Sequence, residues 1–76
     1  MKLTVSQIDK VLFEGTADAV TVPSTSGVMT VLANHMPLIA TLKSGNVVVR
    51  VGEEKQVFPI SSGLIEVGKD GATVLV

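Results

Sequence analysis

The chain has 76 residues, no cysteine and one histidine, and its six basic and seven acidic residues leave a formal net charge of -1. This length fits one domain with a small core, the lack of cysteine excludes disulfides and thiolate metal sites, and the interspersed charges argue against a nucleic-acid partner. The hydrophobic fraction, 46% against 17% charged residues, is high for so small a domain, so we expect apolar surface that meets a partner protein.

Short strand-like runs follow one another along the whole chain, separated by turn residues such as glycine, serine, asparagine and proline. No helical periodicity, internal repeat or linker interrupts them, and a single 3₁₀ turn over residues 34–36 is the one helical piece expected. The sequence therefore predicts an all-β domain over residues 1–76, a small two-sheet sandwich or flattened barrel of about nine to ten short, mainly antiparallel strands. The runs are residues 3–5, 11–13, 19–22, 28–31, 38–42, 47–51, 56–60, 64–67 and 72–76.

Several runs carry bulky apolar residues on both strand faces, although side chains alternate from face to face along a strand. Val47, Val49 and Val51 predict one core face, yet Val48 lies on the other. The runs 11–13 and 64–65 also carry apolar residues on both faces. A sandwich whose outer face is exposed to water does not need apolar residues there, so we expect part of the outer face to dock against another protein. The alternative left open is that these residues cap the sandwich ends or lie under loops.

Candidate chemistry is sparse. His35 is the one side chain with an unperturbed pKa near neutrality, but no acid or activated nucleophile lies close to it in sequence. It is interpreted as tying down its own turn, with a partner contact as second choice. Asp9-Lys10-Val11 is read as a solvated turn rather than a prosthetic-group site, and the glycines form no phosphate-binding motif. We expect no catalytic, cofactor-binding or metal-binding residue, and so no enzyme.

One irregular stretch runs from Pro23 to Gly45 and contains Gly27, Val31-Leu32, His35 and Pro37-Leu38-Ile39. Together with Phe13-Glu14-Gly15, Ile60-Ser61-Ser62-Gly63 and Val74-Leu75, it closely resembles the N-terminal β-sandwich domain of the epsilon subunit of the F-type ATP synthase. The chain departs from that family's pattern at Ser24, Thr30, Ala33, Asn34, Ser44 and Ser62. The departure with most consequence is Val28, where the family commonly has glutamate.

The resemblance implies a non-catalytic rotor subunit of the central stalk, which docks on the gamma subunit and the c-ring and couples proton translocation to ATP synthesis. No cofactor is implied, and the membrane is met only through the complex. The residues implied for the gamma contact are His35, Met36, Leu38 and Ala40. Those implied for the c-ring contact are Ser24, Thr25, Ser26, Gly27, Val28, Met29, Lys43, Ser44 and Gly45.

The resemblance also carries expectations about context. Family members commonly continue into two helices that restrain ATP hydrolysis; these are absent from this sequence, so we expect neither helix-mediated inhibition nor ATP sensing. The first residues show no signal peptide or presequence, and no apolar run approaches the roughly 20 residues of a spanning helix. The expected location is the cytoplasmic face of a bacterial plasma membrane, with the stromal side of a plastid thylakoid as the alternative. The alternative function is a stand-alone β-domain that binds a peptide or other ligand near His35.

Overall fold

The structure is a computed structural model and describes residues 1–33 and 37–76. The regular elements there are all β-strands, as expected where β-branched and apolar runs alternate with turn residues. They are β1 (Lys2–Gln7), β2 (Lys10–Thr16), β3 (Ala19–Ser24), β4 (Gly27–Leu32), β5 (Leu38–Leu42), β6 (Gly45–Val51), β7 (Glu54–Ile60), β8 (Gly63–Gly68) and β9 (Gly71–Leu75).

The strands form a single curled sheet in the order β2-β1-β9-β8-β5-β3-β6-β7, with β4 paired to the other side of β3. Within the described residues β1 and β9 are the one parallel pair, and the other pairs are antiparallel. The first half of the sheet, β2-β1-β9-β8-β5, meets the second half, β4-β3-β6-β7, at one register pair, Ser24 with Leu42. The prediction of a small all-β sandwich or flattened barrel of about nine to ten strands is confirmed, with nine strands in the described residues.

The core lies between the two halves of the curled sheet. Alternate residues of each strand point into it, as the pleat requires, and the first half contributes Leu3, Val5 and Ile65 while the second contributes Val20 and Val49, all fully buried. These side chains belong to one continuous apolar cluster. The predicted core face of β6 is confirmed for Val47 and Val49, whereas Val51, at the end of the strand, remains 40% exposed.

A β-bulge explains the apolar run in β2. The register passes from Val5 opposite Phe13 to Ser6 opposite Val11, so Leu12 has no partner on β1. One extra residue shifts the alternation of the bulged strand. Leu12 and Phe13 both pack against the core, and Val11 is left 57% exposed on the outer face.

Two glycines are required by the local geometry. Gly52 opens the two-residue turn between β6 and β7 with φ of 61°, the left-handed conformation that hairpin turns of this kind need. Gly71 begins β9 with φ of 154°, and a Cβ there would collide with the backbone carbonyl of Lys2 on the parallel neighbour β1. The close approach of β1 and β9 therefore depends on a missing side chain.

Residues 1–33 and 37–76 include no helix with the length and apolarity that a membrane crossing needs. The predicted 3₁₀ turn at residues 34–36 lies outside the described residues.

Candidate interaction surfaces

Two turns that are distant in sequence lie side by side at one end of the sandwich. The backbone N–H of Thr25 donates to the carbonyl of Thr41 at 3.0 Å, and the N–H of Lys43 donates to the carbonyl of Pro23 at 2.9 Å. The hydroxyls of Thr25 and Thr41 also lie 2.9 Å apart. The structure thus brings together the turn at residues 24–27 and the turn at residues 43–45. We call these two turns and the adjoining Val28 the hairpin end.

Ser24 holds the first turn of the hairpin end from inside. Its side chain is almost fully buried, with 6% exposure. The Ser24 hydroxyl donates to the carbonyl of Gly27 at 2.6 Å and accepts from the N–H of Ser26 at 3.2 Å. This local bonding is typical of serine in turns. Ser24 is therefore a positioning residue, with little surface left for a partner.

The other residues predicted for the c-ring contact divide by exposure. Met29 is half-buried and packs against the core, and the two glycines are half-buried in the backbone of the turns. Val28 is 76% exposed. The exposed residues of the hairpin end are Thr25, Ser26, Val28, Lys43 and Ser44.

Two of the four residues predicted for the gamma contact belong to the described part of the chain. His35 and Met36 lie outside the described residues. Leu38 and Ala40 are half-buried and pack against the core, because they share a strand face with the buried Leu42. Between them Ile39 points outward and is 67% exposed. Sequence reasoning missed Ile39 because both faces of β5 carry apolar residues, so the period of two does not distinguish inside from outside.

Ile39 belongs to a set of apolar side chains on the outer face of the first half of the sheet. Leu64 pairs with Leu75 across β8 and β9, and Leu64 also stands opposite Thr41, two residues from Ile39. Ser6 links Leu75 to Val11. We call Val11, Ile39, Leu64 and Leu75 the outer patch.

The outer patch continues towards the turn between β1 and β2. Ile8 is fully exposed there, and an open, mainly apolar cavity of about 320 Å³ lies beside it, lined also by Gly63, Leu75 and Val76. Ser6 separates Leu75 from Val11 on this face, and Ile39 stands opposite the exposed Glu66. The apolar side chains therefore form a loose cluster, and such clusters mark interaction sites more often than single scattered residues do. The prediction that apolar side chains point outward as well as inward thus has a specific location.

The described residues contain no cluster of three or more histidine, cysteine, aspartate or glutamate side chains able to hold a metal ion. The hairpin end offers hydroxyls and one ammonium group, and the outer patch offers aliphatic surface. These groups suit contact with a protein surface.

Comparison with known proteins agrees with this geometry. The model of the family described as "ATP synthase, Delta/Epsilon chain, beta-sandwich domain" matches residues 1–76. The chain belongs to this family. The ATP synthase epsilon chain of Caulobacter vibrioides is 42% identical over 67 residues, which cover 88% of this chain and 78% of that protein. The epsilon chain of Leptospira interrogans is 33% identical over 75 residues, 99% of this chain and 59% of the relative.

Solved structures of ATP synthases contain the same fold. A chain in the Euglena gracilis mitochondrial ATP synthase structure of OSCP, F1 and c-ring superposes with a TM-score of 0.92 at 26% identity, over all of this chain and 49% of that one. A chain in the central stalk and c-ring structure of the Tetrahymena thermophila enzyme gives a TM-score of 0.84 over 99% of this chain and 61% of that one, and at 15% identity it supports the fold alone.

Membership in the epsilon family settles the broad class of this protein. The predicted resemblance is confirmed by the family match and by the bacterial relatives. The chain is a β-sandwich domain of the ATP synthase epsilon type, and the epsilon chain is not itself a catalytic subunit. It spans about three fifths of the Leptospira relative, so the activities of that whole protein do not transfer to it directly.

Proposed function

We propose that this chain is a rotor subunit of an F-type ATP synthase that docks on the gamma subunit and the c-ring and couples proton translocation to ATP synthesis. The observation that supports the proposal is an outward-facing apolar cluster, the outer patch, together with two adjoining polar turns, the hairpin end, on one small sandwich of this family. In such a complex the chain lies at the cytoplasmic face of a bacterial plasma membrane, the setting suggested by its bacterial relatives.

The outer patch is the surface proposed for gamma. Its residues Ile39, Val11 and Leu75 are 67%, 57% and 48% exposed. Burying apolar surface stabilises a complex by roughly 25 cal/mol per Å² before association costs. Ile39 replaces Leu38 and Ala40 as the main β5 contact, while the proposed roles of His35 and Met36 are unchanged.

The hairpin end is the surface proposed for the c-ring. Between Pro23 and Gly45 the sequence carries one formal charge, that of Lys43, if His35 is neutral. The family's glutamate is replaced by the exposed Val28. The contact proposed for this chain therefore combines apolar packing by Val28 and hydrogen bonds from exposed hydroxyls with the positive charge of Lys43.

Copurification tests the gamma contact directly. The chain is expected to retain the gamma subunit of its own organism, and Ile39→Glu is expected to weaken that binding by about tenfold or more, since a carboxylate would be buried against apolar surface. Val57→Glu is the matched control, because Val57 is 54% exposed on the other half of the sheet. Failure of the folded chain to bind gamma at micromolar concentration would refute the proposed function while leaving the family assignment intact.

A further inference from the structure

The sheet has three strands that pair on one side only within the described part of the chain: β2, β4 and β7. Free edges invite pairing with another chain unless charges, prolines or bulges block them. The edge of β2 carries Lys10, Glu14 and the bulge. The edge of β7 carries Glu54, Lys55 and Pro59. β4, with the sequence Gly-Val-Met-Thr-Val-Leu, has no charge and no proline.

The backbone groups of β4 that face this free edge can be assigned from the neighbouring bonds. The N–H of Thr25 and the carbonyl of Pro23, on either side of Ser24, bond towards β5. The backbone groups of Ser24 itself therefore face β4, where its partner is Gly27. Orientation alternates along a strand. The N–H and C=O groups of Val28, Thr30 and Leu32 therefore point away from β3.

The outward side chains of β4 are arranged symmetrically about Thr30. Val28 and Leu32 lie two residues on either side of it and are 76% and 53% exposed. Thr30 is exposed too, and its hydroxyl lies 2.9 Å from that of Thr21 on β3. A second β4 running antiparallel, with Thr30 opposite Thr30, would place each Val28 opposite Leu32 of the other copy. Apolar pairs and threonine pairs are favourable cross-strand combinations.

We propose that β4 is a self-complementary edge that pairs with β4 of a second copy of this chain about a two-fold axis at Thr30. Such an isologous contact joins the two β7-β6-β3-β4 halves into one sheet. Gly27–Leu32 carries no charge that a second copy would have to accommodate, whereas β2 carries Lys10 and Glu14 and β7 carries Glu54 and Lys55. Because a single strand pair buries little area, the dimer is weak and concentration-dependent. This inference does not rest on the proposed function.

Sedimentation velocity of the 76-residue chain between ~10 μM and ~1 mM tests the proposal. A reversible monomer–dimer equilibrium is expected, together with slower amide hydrogen exchange at Val28, Thr30 and Leu32 as concentration rises. A monomer throughout this range would overturn the proposal. So would a dimer whose formation leaves exchange at these three amides unchanged.

Charge substitutions test the register. Thr30→Lys places two ammonium groups face to face at the axis and is expected to raise the dimer dissociation constant at least ~10-fold. Val57→Lys, with the same charge change on the outer face of the β7 edge, is the control and is expected to have no effect. An equal mixture of Thr30→Lys and Thr30→Glu chains is expected to restore association as a heterodimer. If the mixture stays monomeric, or if both lysine variants behave alike, the register is wrong and the proposal fails.

A second pair of variants covers the case in which Thr30→Lys does not fold. Val28→Lys and Leu32→Glu alter exposed side chains that face one another in this register. Each variant alone is expected to dimerise less than the unaltered chain, and the mixture is expected to associate better than either. Absence of that preference for the mixture would contradict the proposed arrangement.

Discussion

The carboxylate of Asp18 accepts a hydrogen bond of 2.6 Å from the backbone N–H of Gly52, a residue 34 positions further along the chain. Asp18 precedes β3, and Gly52 opens the turn between β6 and β7. The N–H of Asp18 in turn donates to the carbonyl of Arg50 at 2.8 Å. Asp18 thus ties the second half of the sheet together at the end opposite the hairpin end.

Removing this acceptor is expected to weaken the fold. Asp18→Ala should lower the free energy of unfolding by about 1 kcal/mol, because the N–H of Gly52 loses its charged partner. Asp18→Asn keeps an oxygen acceptor and should lose less. Urea unfolding measures both, with the exposed Glu53→Ala as control. Equal stability of Asp18→Ala and the unaltered chain would show that water replaces the bond without cost.

The ion pair of Asp18 with Arg50 is expected to contribute little. Its closest atoms are 4.0 Å apart, and the two side chains are 54% and 43% exposed. Exposed pairs of this kind contribute roughly 0–1 kcal/mol and are screened by salt. The free energy of unfolding of Arg50→Gln should therefore be nearly the same as that of the unaltered chain, in low as well as in high sodium chloride. A strong salt-dependent loss in Arg50→Gln would contradict this assignment.

Two glycines near the β8–β9 turn should respond very differently to alanine. Gly71→Ala should reduce stability by about 2 kcal/mol or more, because the added methyl group meets the carbonyl of Lys2 and the backbone conformation disfavours a side chain. At Gly68 the atom closest to an added methyl carbon would be 4.0 Å away, so Gly68→Ala serves as control. Thermal unfolding of the two variants compares them, and similar melting temperatures would argue against close β1–β9 packing.

Isoleucines on the two faces of neighbouring strands offer a matched pair. Ile65 is fully buried, whereas Ile39 is 67% exposed. Ile65→Val should cost about 0.5–1.5 kcal/mol of stability through the cavity it leaves, and Ile39→Val should stay within about 0.5 kcal/mol. Chemical denaturation of both variants measures the difference. A larger loss at Ile39 would mean that β5 has the opposite facing.

Val28 at the hairpin end allows the proposed c-ring contact to be tested. Val28→Glu should leave the free energy of unfolding within about 0.5 kcal/mol of the unaltered chain, since the position is 76% exposed. If Val28 packs against the ring as proposed, the carboxylate should weaken binding to the c-ring of the same organism. Retention of the unaltered chain and of Val28→Glu on c-ring proteoliposomes measures this binding. Glu53→Gln, at the end of the sandwich opposite the hairpin end, is the control. Unchanged retention would remove Val28 from the proposed contact.

The predicted interaction residues show where local pattern stops being informative. The turns at residues 24–27 and 43–45 were assigned to one surface through family resemblance, and the bonds between Thr25 and Thr41 bring them together. For β5 the same resemblance named Leu38 and Ala40, but these pack against the core and Ile39 faces outward. Apolar residues on both faces leave two facings equally compatible with the sequence, and only pairing with β8 decides between them.

What the sequence by itself determined is the all-β class, the approximate position of each strand and the family, since strand propensity, turn residues and the Pro23–Gly45 pattern are all local. Tertiary structure decided the bulge at Leu12, the outward facing of Ile39 and the bare edge of β4. These features follow from register between strands far apart in the chain. A shift of one residue exchanges the two faces of a strand, and where both faces are apolar the burial free energy of the isolated segment does not choose between them.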